Sequence, residues 1–541
     1  MTNREIAKVF SRLGKIMELH GENAFKVRSY TNAYMTIRKL EKPLAESSPE
    51  ELAEIRGVGK AISDKIQELL TTGSLATYQK YADITPPGIV QMLDVKGLGP
   101  KKIRTIWDEL HIESVGELLY ACNENRLVEL KGFGLKTQQT LRTQLEYFMA
   151  SQGKYHYATV ADHASHMVSL IEEYFPDDNT SLCGAVRRLM PELSAIEVLT
   201  TASASDIIDT IPHIQEVDGE YQFAGFPFDI YEVDPESFGT ELFELSASDT
   251  FLEQLQSDVP VAATEAEVFD ELGLAYCPPE YRESQTAYEQ CQSHEVPTLI
   301  ADADLRGVIH NHSTYSDGIH TLAEMAAHTK ESGYEYLVMS DHSKAAFYAD
   351  GLSEDKVVQQ MAEIDQLNAQ LAPFRIYKSI ECDILSDGSL DYSDDFLQEF
   401  DLVIASVHSN LRMDEPKANA RLIKAIEHPS THILGHPTGR LLLSRVGYPI
   451  DHKLIIDACV ANGVVIELNA NPQRLDIDWT WIPYVLEKGG MISINPDAHN
   501  RAHIHYMKYG VAAARKGGLT TDRCLNAKSL SEFQSWVAAL S

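Results

Sequence analysis

His310 and His312 are separated by one residue, and Asp317 closes the same stretch, His310-Asn311-His312-Ser313-Thr314-Tyr315-Ser316-Asp317-Gly318. Five stretches of like character follow: Ser340-Asp341-His342-Ser343, Ile380-Glu381-Cys382-Asp383, Ser406-Val407-His408-Ser409, Gly435-His436-Pro437-Thr438-Gly439-Arg440 and Pro496-Asp497-Ala498-His499. Mixed imidazole and carboxylate donors suit Zn, Mn or Fe. The candidate metal ligands are His310, His312, Asp317, His342, Glu381, His408, His436, Asp497 and His499. These are more donors than one ion needs, so two or three divalent ions are expected. Ions roughly 3.5–4 Å apart would hold a phosphate and generate hydroxide from water at neutral pH. A single histidine after a strand is more often structural than a ligand. Successive strand ends that all carry donors are not explained that way.

Those donors need elements to carry them. From about residue 300, short apolar runs alternate with helical segments: Leu305–Ile309, Tyr336–Met339, Ile376–Ile380, Leu402–Ser406, His432–Leu434, Val464–Leu468 and Met491–Ile494. Seven strands with intervening helices predict a parallel α/β barrel, whose active site lies at the strand C-terminal ends. Each candidate stretch follows such a run. After Val464–Leu468 comes only the weaker Asn469-Ala470-Asn471-Pro472.

Residues 1–150 read as helical, with Ile6, Val9, Phe10, Leu13, Ile16 and Met17 at helical spacing. A break at Thr85-Pro86-Pro87-Gly88 divides them. Residues 155–290 mix strand-like runs, such as Ile196–Leu199 and Phe226–Tyr231, with acidic helices. The stretch from Cys277-Pro278-Pro279-Glu280 to about Pro297 reads as a linker.

Charge is unevenly spread over the 541 residues. Residues 1–150 hold 21 Lys/Arg and 19 Asp/Glu, residues 151–300 hold 4 and 29, and residues 301–541 hold 21 and 32. A polyanion can dock on the first block and is repelled by the second. No apolar run approaches the ~20 residues of a membrane span. The N-terminus lacks a signal-peptide layout. Seven cysteines without a Cys-x-x-Cys pair argue against a disulfide framework or thiolate zinc site. A cytosolic monomer is expected.

Three glycine hairpins open helices in the first block: Gly57-Val58-Gly59-Lys60, Gly97-Leu98-Gly99-Pro100-Lys101-Lys102 and Gly132-Phe133-Gly134-Leu135-Lys136. Paired glycines permit a tight turn and bring backbone N–H groups close to a phosphate. The hairpins resemble helix-hairpin-helix motifs, which grip the DNA backbone without reading sequence. Gly57, Gly59, Lys60, Gly97, Gly99, Lys101, Lys102, Gly132, Gly134 and Lys136 are the candidate DNA contacts.

The metal stretches resemble the polymerase-and-histidinol-phosphatase (PHP) family of phosphoesterases. With the hairpins ahead of them, nearly the whole chain resembles a bacterial family X DNA polymerase carrying a PHP domain. The resemblance implies three parts: an all-α helix-hairpin-helix region, an α+β nucleotidyltransferase-like palm and a distorted (β/α)7 barrel. The expected domains are 1–85 (lyase-like), 86–150 (fingers-like), 151–290 (palm and thumb) and 291–541 (PHP). By family pattern, His310, His312, Glu381 and Asp497 hold one ion. Glu381 bridges to a second with His408 and His436, and Asp317, His342 and His499 hold a third. Arg440 is a candidate phosphate clamp, a surface salt bridge being the other reading; guanidinium matches phosphate oxygens in pairs. Lys65 falls where some members carry a Schiff-base lysine, although a DNA contact or surface lysine is the preferred reading.

The palm departs from the pattern. The serine expected after Gly184 is Ala185, the first metal-binding aspartate is Ala195, the second is Glu197, and only Asp229 matches the third. The later Phe-Thr-Gly-Ser turn reads Leu245-Ser246-Ala247-Ser248. Alanine cannot hold a metal, so polymerase activity is expected to be lost. The resulting expectation is a metal-dependent 3′→5′ exonuclease or 3′-end-processing enzyme of DNA repair. It would use two or three divalent ions, Mn first, then Zn or Fe, on gapped DNA or 3′ ends. The rivals are an active gap-filling polymerase with a PHP exonuclease, a histidinol-phosphatase-like enzyme of small molecules, and a non-enzymatic DNA-binding scaffold.

Overall fold

The computed structural model describes every residue except 41, 56, 57, 129, 151, 152, 218 and 541. Gly57 therefore lies outside the described residues. The chain divides into two compact units, Met1–Ser151 and Gln152–Ser541.

The first unit is helical. Its opening helix, Asn3–Leu19, starts with a reciprocal cap: the Thr2 hydroxyl accepts from Glu5 N, and the Glu5 carboxylate accepts from Thr2 N. Ile6, Phe10, Leu13 and Met17 share its inward stripe and are fully buried. One apolar core runs from Ile6 to Leu145, across the break expected at residue 85.

Among the described residues the second unit holds two main sheets, besides a short antiparallel pair of Tyr155–His156 with Glu192–Leu193. In the smaller one, β1 (Thr180–Leu182), β2 (Ile196–Thr200), β3 (Ile214–Val217), β4 (Glu220–Phe223) and β5 (Phe226–Glu232) lie in the order β1-β2-β5-β4-β3. The larger sheet comprises β6 (Gly307–Val308), β7 (Tyr336–Met339), β8 (Arg375–Asp383), β9 (Leu402–Ser406), β10 (Ile433–Leu434), β11 (Val465–Asn469) and β12 (Ile492–Asn495). All seven pair in parallel, in chain order. The ring nearly closes. The Asn526 amide donates to Gly307 O at 3.2 Å and Ile494 O at 2.8 Å, and Asn311 bridges Ala498 just beyond the strands. The C-terminal helix Leu530–Ala538 plugs the opposite end, where Phe533 stacks on Tyr336 at 4.3 Å. This is the expected seven-stranded barrel in a mixed multidomain chain. Among the described residues, no helix is long and apolar enough to cross a membrane.

The segment expected to be a linker is instead packed. Cys277, Tyr281, Tyr288 and Cys291 join a core with Phe243, Phe251 and Phe269. Arg282 is wholly buried, its guanidinium on Glu265 Oε1 at 2.7 Å and its Nε on Cys277 O at 2.7 Å. Part of the polarity that suggests a linker belongs to groups paired inside the fold, Glu280 with Arg515, Arg282 with Glu265 and Glu283 with Lys516.

Candidate metal centre

Six of the seven barrel strands deliver their donors just past or at their C-terminal ends, as parallel pairing with right-handed returns requires. His310 and Asp497 adopt positive φ, 66° and 51°, in a region that L-residues rarely enter. Such strain persists only where surrounding structure imposes it, here by backbone bonds joining His312 N to Ala498 O (2.9 Å) and Ala498 N to His310 O (3.3 Å).

Glu381 sits at the centre. Its Oε1 lies 3.2 Å from His310 Nε2, 3.0 Å from His408 Nε2 and 3.0 Å from His436 Nε2. Its Oε2 lies 2.8 Å from His342 Nδ1 and 3.6 Å from His312 Nε2. Three overlapping groups could each hold a cation: His310, His312 and Asp497; His342, Glu381 and His408; and His312, Asp317, His342 and His499. All nine candidate ligands thus converge on one place. The grouping differs slightly from the family assignment, because His312 and His342 each face two centres.

The donor set fits a metal on its own evidence. His310 Nε2, His312 Nδ1, His342 Nδ1 and Glu381 Oε2 are buried without a hydrogen bond. Buried polar atoms are normally paired. His342 Nδ1 and Glu381 Oε2 are near enough to bond yet angled not to, as donors around a shared cation would be.

The electrostatics follow. Burial alone would raise Glu381, but the imidazoles of His408, His310 and His342 hold it well below the carboxylate range. Asp497 and Asp317 are held down against burial in the same way, chiefly by His310 and His499 respectively. Burial opposes protonation of His342, but Asp317 and Glu381 lift it to about 10. Burial, with His499 and His342 beside it, lowers His312 to about 3. Cation binding at these donors is coupled to proton release.

Several supporting groups escape a reading by motif. Glu467 accepts from His310 Nδ1 at 2.6 Å, leaving Nε2 for the centre, and its other oxygen accepts from His436 N at 3.1 Å. The amides of Asn469 and Asn495 hold that carboxylate at 3.0 and 2.8 Å. Asp383 lies 3.1 Å from His408 Nδ1. Asp341 accepts from Ser313 N (2.8 Å), Ser313 Oγ (2.7 Å) and Ser316 N (3.2 Å), which shapes the loop from His312 to Asp317. Such partners orient ligands and fix their tautomers. Glu467 hides in the apolar run of β11, where a carboxylate amid Val, Ile and Leu was the available signal.

In the helical unit, Val58, Leu98 and Phe133, each between two glycines, are buried and pin the three turns. Gly97 and Gly132 have φ of 90° and 94°, which demands glycine. Gly59, Gly99 and Gly134 do not, and a Cβ there would meet nothing within 4 Å. No side chain caps the helices Lys60–Thr72 and Pro100–Leu110. The bare turns leave room outside the protein for a closely approaching group. Lys60, Lys101 and Lys136 are exposed beside them, and Lys102 is partly so.

Residues 1–75 match the family described as a helix-hairpin-helix domain, and residues 89–146 a SAM-like helix-hairpin-helix tandem. The chain is 31% identical to the DNA polymerase/3′-5′ exonuclease PolX of Bacillus subtilis, over 99% of each chain. The chain belongs to the bacterial family X DNA polymerases that carry a PHP domain. A probable phosphatase of Syntrophotalea carbinolica is 29% identical over 32% of this chain and 67% of its own. DNA polymerase lambda of Arabidopsis thaliana is 28% identical over 26% of each.

The residues expected to form the palm site lie on the smaller sheet and beside it. Glu197 and Asp229 are paired neighbours on β2 and β5. Glu197 Oε2 accepts from Ala185 N at 2.6 Å, at the start of the short helix Gly184–Arg187. A Cβ at Gly184, whose φ is 59°, would lie 2.1 Å from that carboxylate. Burial raises the Glu197 pKa, with Asp229 adding to it. Ala195, one residue before β2, offers no ligand. Arg187 grips Glu265 with both Nη atoms, at 2.7 and 2.9 Å, and Arg188 reaches Glu283 at 3.1 Å.

Arg440 is also committed elsewhere. Its Nε donates to Arg474 O at 2.9 Å, and its Nη atoms engage Asp478 and Leu475 O. That arrangement ties down the loop carrying Arg474, whose Nε lies 3.8 Å from Asp497 Oδ2. Lys65 Nζ donates to Thr77 Oγ1 at 2.8 Å.

Proposed function

We propose that this chain is a metal-dependent 3′→5′ exonuclease or 3′-end-processing phosphoesterase acting on DNA in repair, and that its polymerase activity is lost. The observation that carries the reading is the contrast between two sites in one unit. Eight donors converge around Glu381, several with unpaired buried atoms, while Glu197 is spent on a backbone N–H in the palm. The named activity of the Bacillus subtilis relative supports the choice of substrate and polarity.

Two or three divalent ions, Mn first and Zn or Fe next, would be held by His310, His312 and Asp497, by Glu381 with His408 and His436, and by Asp317, His342 and His499. When bound they supply Lewis-acid chemistry at a phosphate and a nucleophile at neutral pH. The chain's own residues do the rest. Glu467 and Asp383 fix the ring orientations of His310 and His408. Asp341 holds the first ligand loop. The positive-φ backbones of His310 and Asp497 aim both side chains inward. Gly59, Gly97, Gly99, Gly132 and Gly134, with Lys60, Lys101, Lys102 and Lys136, bind the DNA backbone without reading sequence. Gly57 belongs with them by sequence. Residues 1–85, 86–150, 151–290 and 291–541 serve as lyase-like, fingers-like, palm-derived and hydrolytic parts. Arg440 acts as a brace for the 474–478 loop.

Incubation of 5′-labelled gapped DNA with the full chain and Mn²⁺, with and without nucleotides, tests this. Shortening that ignores nucleotides is the expected result. Lengthening would restore the polymerase reading.

A further inference from the structure

The loop between the ligand His342 and Leu352 is a rigid arch. Leu352 N donates to His342 O at 2.8 Å, and Gly351 N to Ala346 O at 3.1 Å. A Cβ on Gly351 would lie 2.0 Å from Ser343 O, so the two arms of the arch touch. Ala345 N is held by Asp391 Oδ2 at 2.7 Å. At the crest, the one-turn segment Phe347–Ala349 presents Phe347 with 80% of its surface exposed. A phenyl ring left in water contributes little to folding, and this one is held there by an anchored arch.

The ring is not isolated from the metal centre. Its centroid lies 5.9 Å from that of Tyr348, edge to face, and Tyr348 lies 6.4 Å from His342. Aromatic surface thus leads from solvent to a metal-ligand candidate. Ile319 and Val446 are 50% and 96% exposed on the loops that follow Asp317 and His436, and Ile319 N donates to His499 O at 2.9 Å. The barrel mouth therefore sets apolar surface beside a centre built for phosphate. A terminal nucleotide has these same two parts, a phosphate and a flat base. An internal base has both faces covered, whereas a terminal base has a face to offer.

We propose that Phe347 stacks on the base of the terminal nucleotide of the substrate and holds it at the barrel mouth. This rests on the hydrolase reading above. Aromatic side chains hold single-stranded bases in a sequence-tolerant way, which suits hairpins that grip only the backbone.

The test compares two single-stranded oligonucleotides, one ending in thymidine and one in an abasic 3′ nucleotide, with the full chain and Mn²⁺. The readout is the ratio of their kcat/KM values. Phe347→Ala and Phe347→Leu should each lower that ratio by about tenfold, and Phe347→Trp should hold it near wild type. An unchanged ratio in the Ala and Leu variants, or equal losses on both substrates, overturns the stacking role while leaving the hydrolase intact. A wild-type chain that shortens neither oligonucleotide overturns the hydrolase reading and the stacking role together.

Discussion

Glu381 is the residue on which the centre turns, because five imidazoles face its two oxygens. Replacing it by Gln keeps the shape and removes the charge that balances them. Glu381→Gln should lower Mn²⁺-dependent shortening of a 3′ end by at least a thousandfold. DNA affinity, measured by fluorescence anisotropy without metal, should stay within about threefold, since the hairpins belong to the other unit. Comparable loss of affinity would mean the barrel itself is damaged. Glu467 acts one step back. Without its carboxylate His310 loses the partner that fixes its tautomer, and partners of this kind are worth roughly 10–100-fold in metal affinity. Glu467→Gln should therefore weaken metal binding by that factor, read by competition with a chelating dye, and excess Mn²⁺ should recover much of the activity. Activity lost with metal affinity unaltered would count against a positioning role. The nine ligand candidates could be read from the chain because each lies beside small residues after an apolar run. Glu467 and Asp383 could not, since their meaning comes from His310 and His408, distant in sequence.

The hairpins and strands show where pattern reading holds and where it stops. All seven barrel runs are strands, within a few residues of their expected bounds, because a buried parallel strand is apolar throughout. In the smaller sheet only β2 and β5 were evident. β3 and β4, Ile214–Val217 and Glu220–Phe223, are largely exposed and polar, so no apolar run announces them. The stretch after Cys277 misleads for the opposite reason, since Glu280, Arg282 and Glu283 are paired inside. For the hairpins the structure adds an argument that sequence lacks. Gly59 and Gly99 have ordinary φ and open space around them, so the fold itself does not require glycine there. Both are N-caps with extended backbone, where alanine is somewhat less favourable than glycine, so Gly59→Ala and Gly99→Ala should lower the melting temperature only slightly. If the bare backbone approaches phosphate, the double variant should bind DNA about tenfold more weakly at a fixed salt concentration. A double variant with wild-type affinity would show that nothing approaches these turns closely.

The second unit carries the whole acidic excess behind a formal charge of −34, yet its middle block is anchored through its few cations. Residues 151–300 have four Lys/Arg, and Arg187, Arg188 and Arg282 are three of them. Arg187 and Arg282 converge on Glu265, while Arg188 and the buried Lys516 of the barrel meet at Glu283. Arg187 and Arg282 thus tie the middle block together, and Arg188 joins it to the barrel through Glu283 and Lys516. Burial would raise Glu265, but hydrogen bonds and charge from Arg187 and Arg282 outweigh it and hold it at about 2, against 4.5 unperturbed. The unfolded chain then binds the extra proton between those values. The stabilisation is complete above about pH 4.5 and disappears as pH falls towards 2. A shift of this size is worth about 3 kcal/mol. Glu265→Gln leaves Arg282 buried with its charge uncompensated, so the variant should be less stable than wild type at pH 7. The gap should shrink by about that amount between pH 7 and pH 2.5. Urea unfolding followed by tryptophan fluorescence measures it, since Trp479, Trp481 and Trp536 all lie in this unit. A gap that keeps its size across that range would mean Glu265 titrates alike in both states, and the arginines would then be holding the middle block by packing rather than by charge.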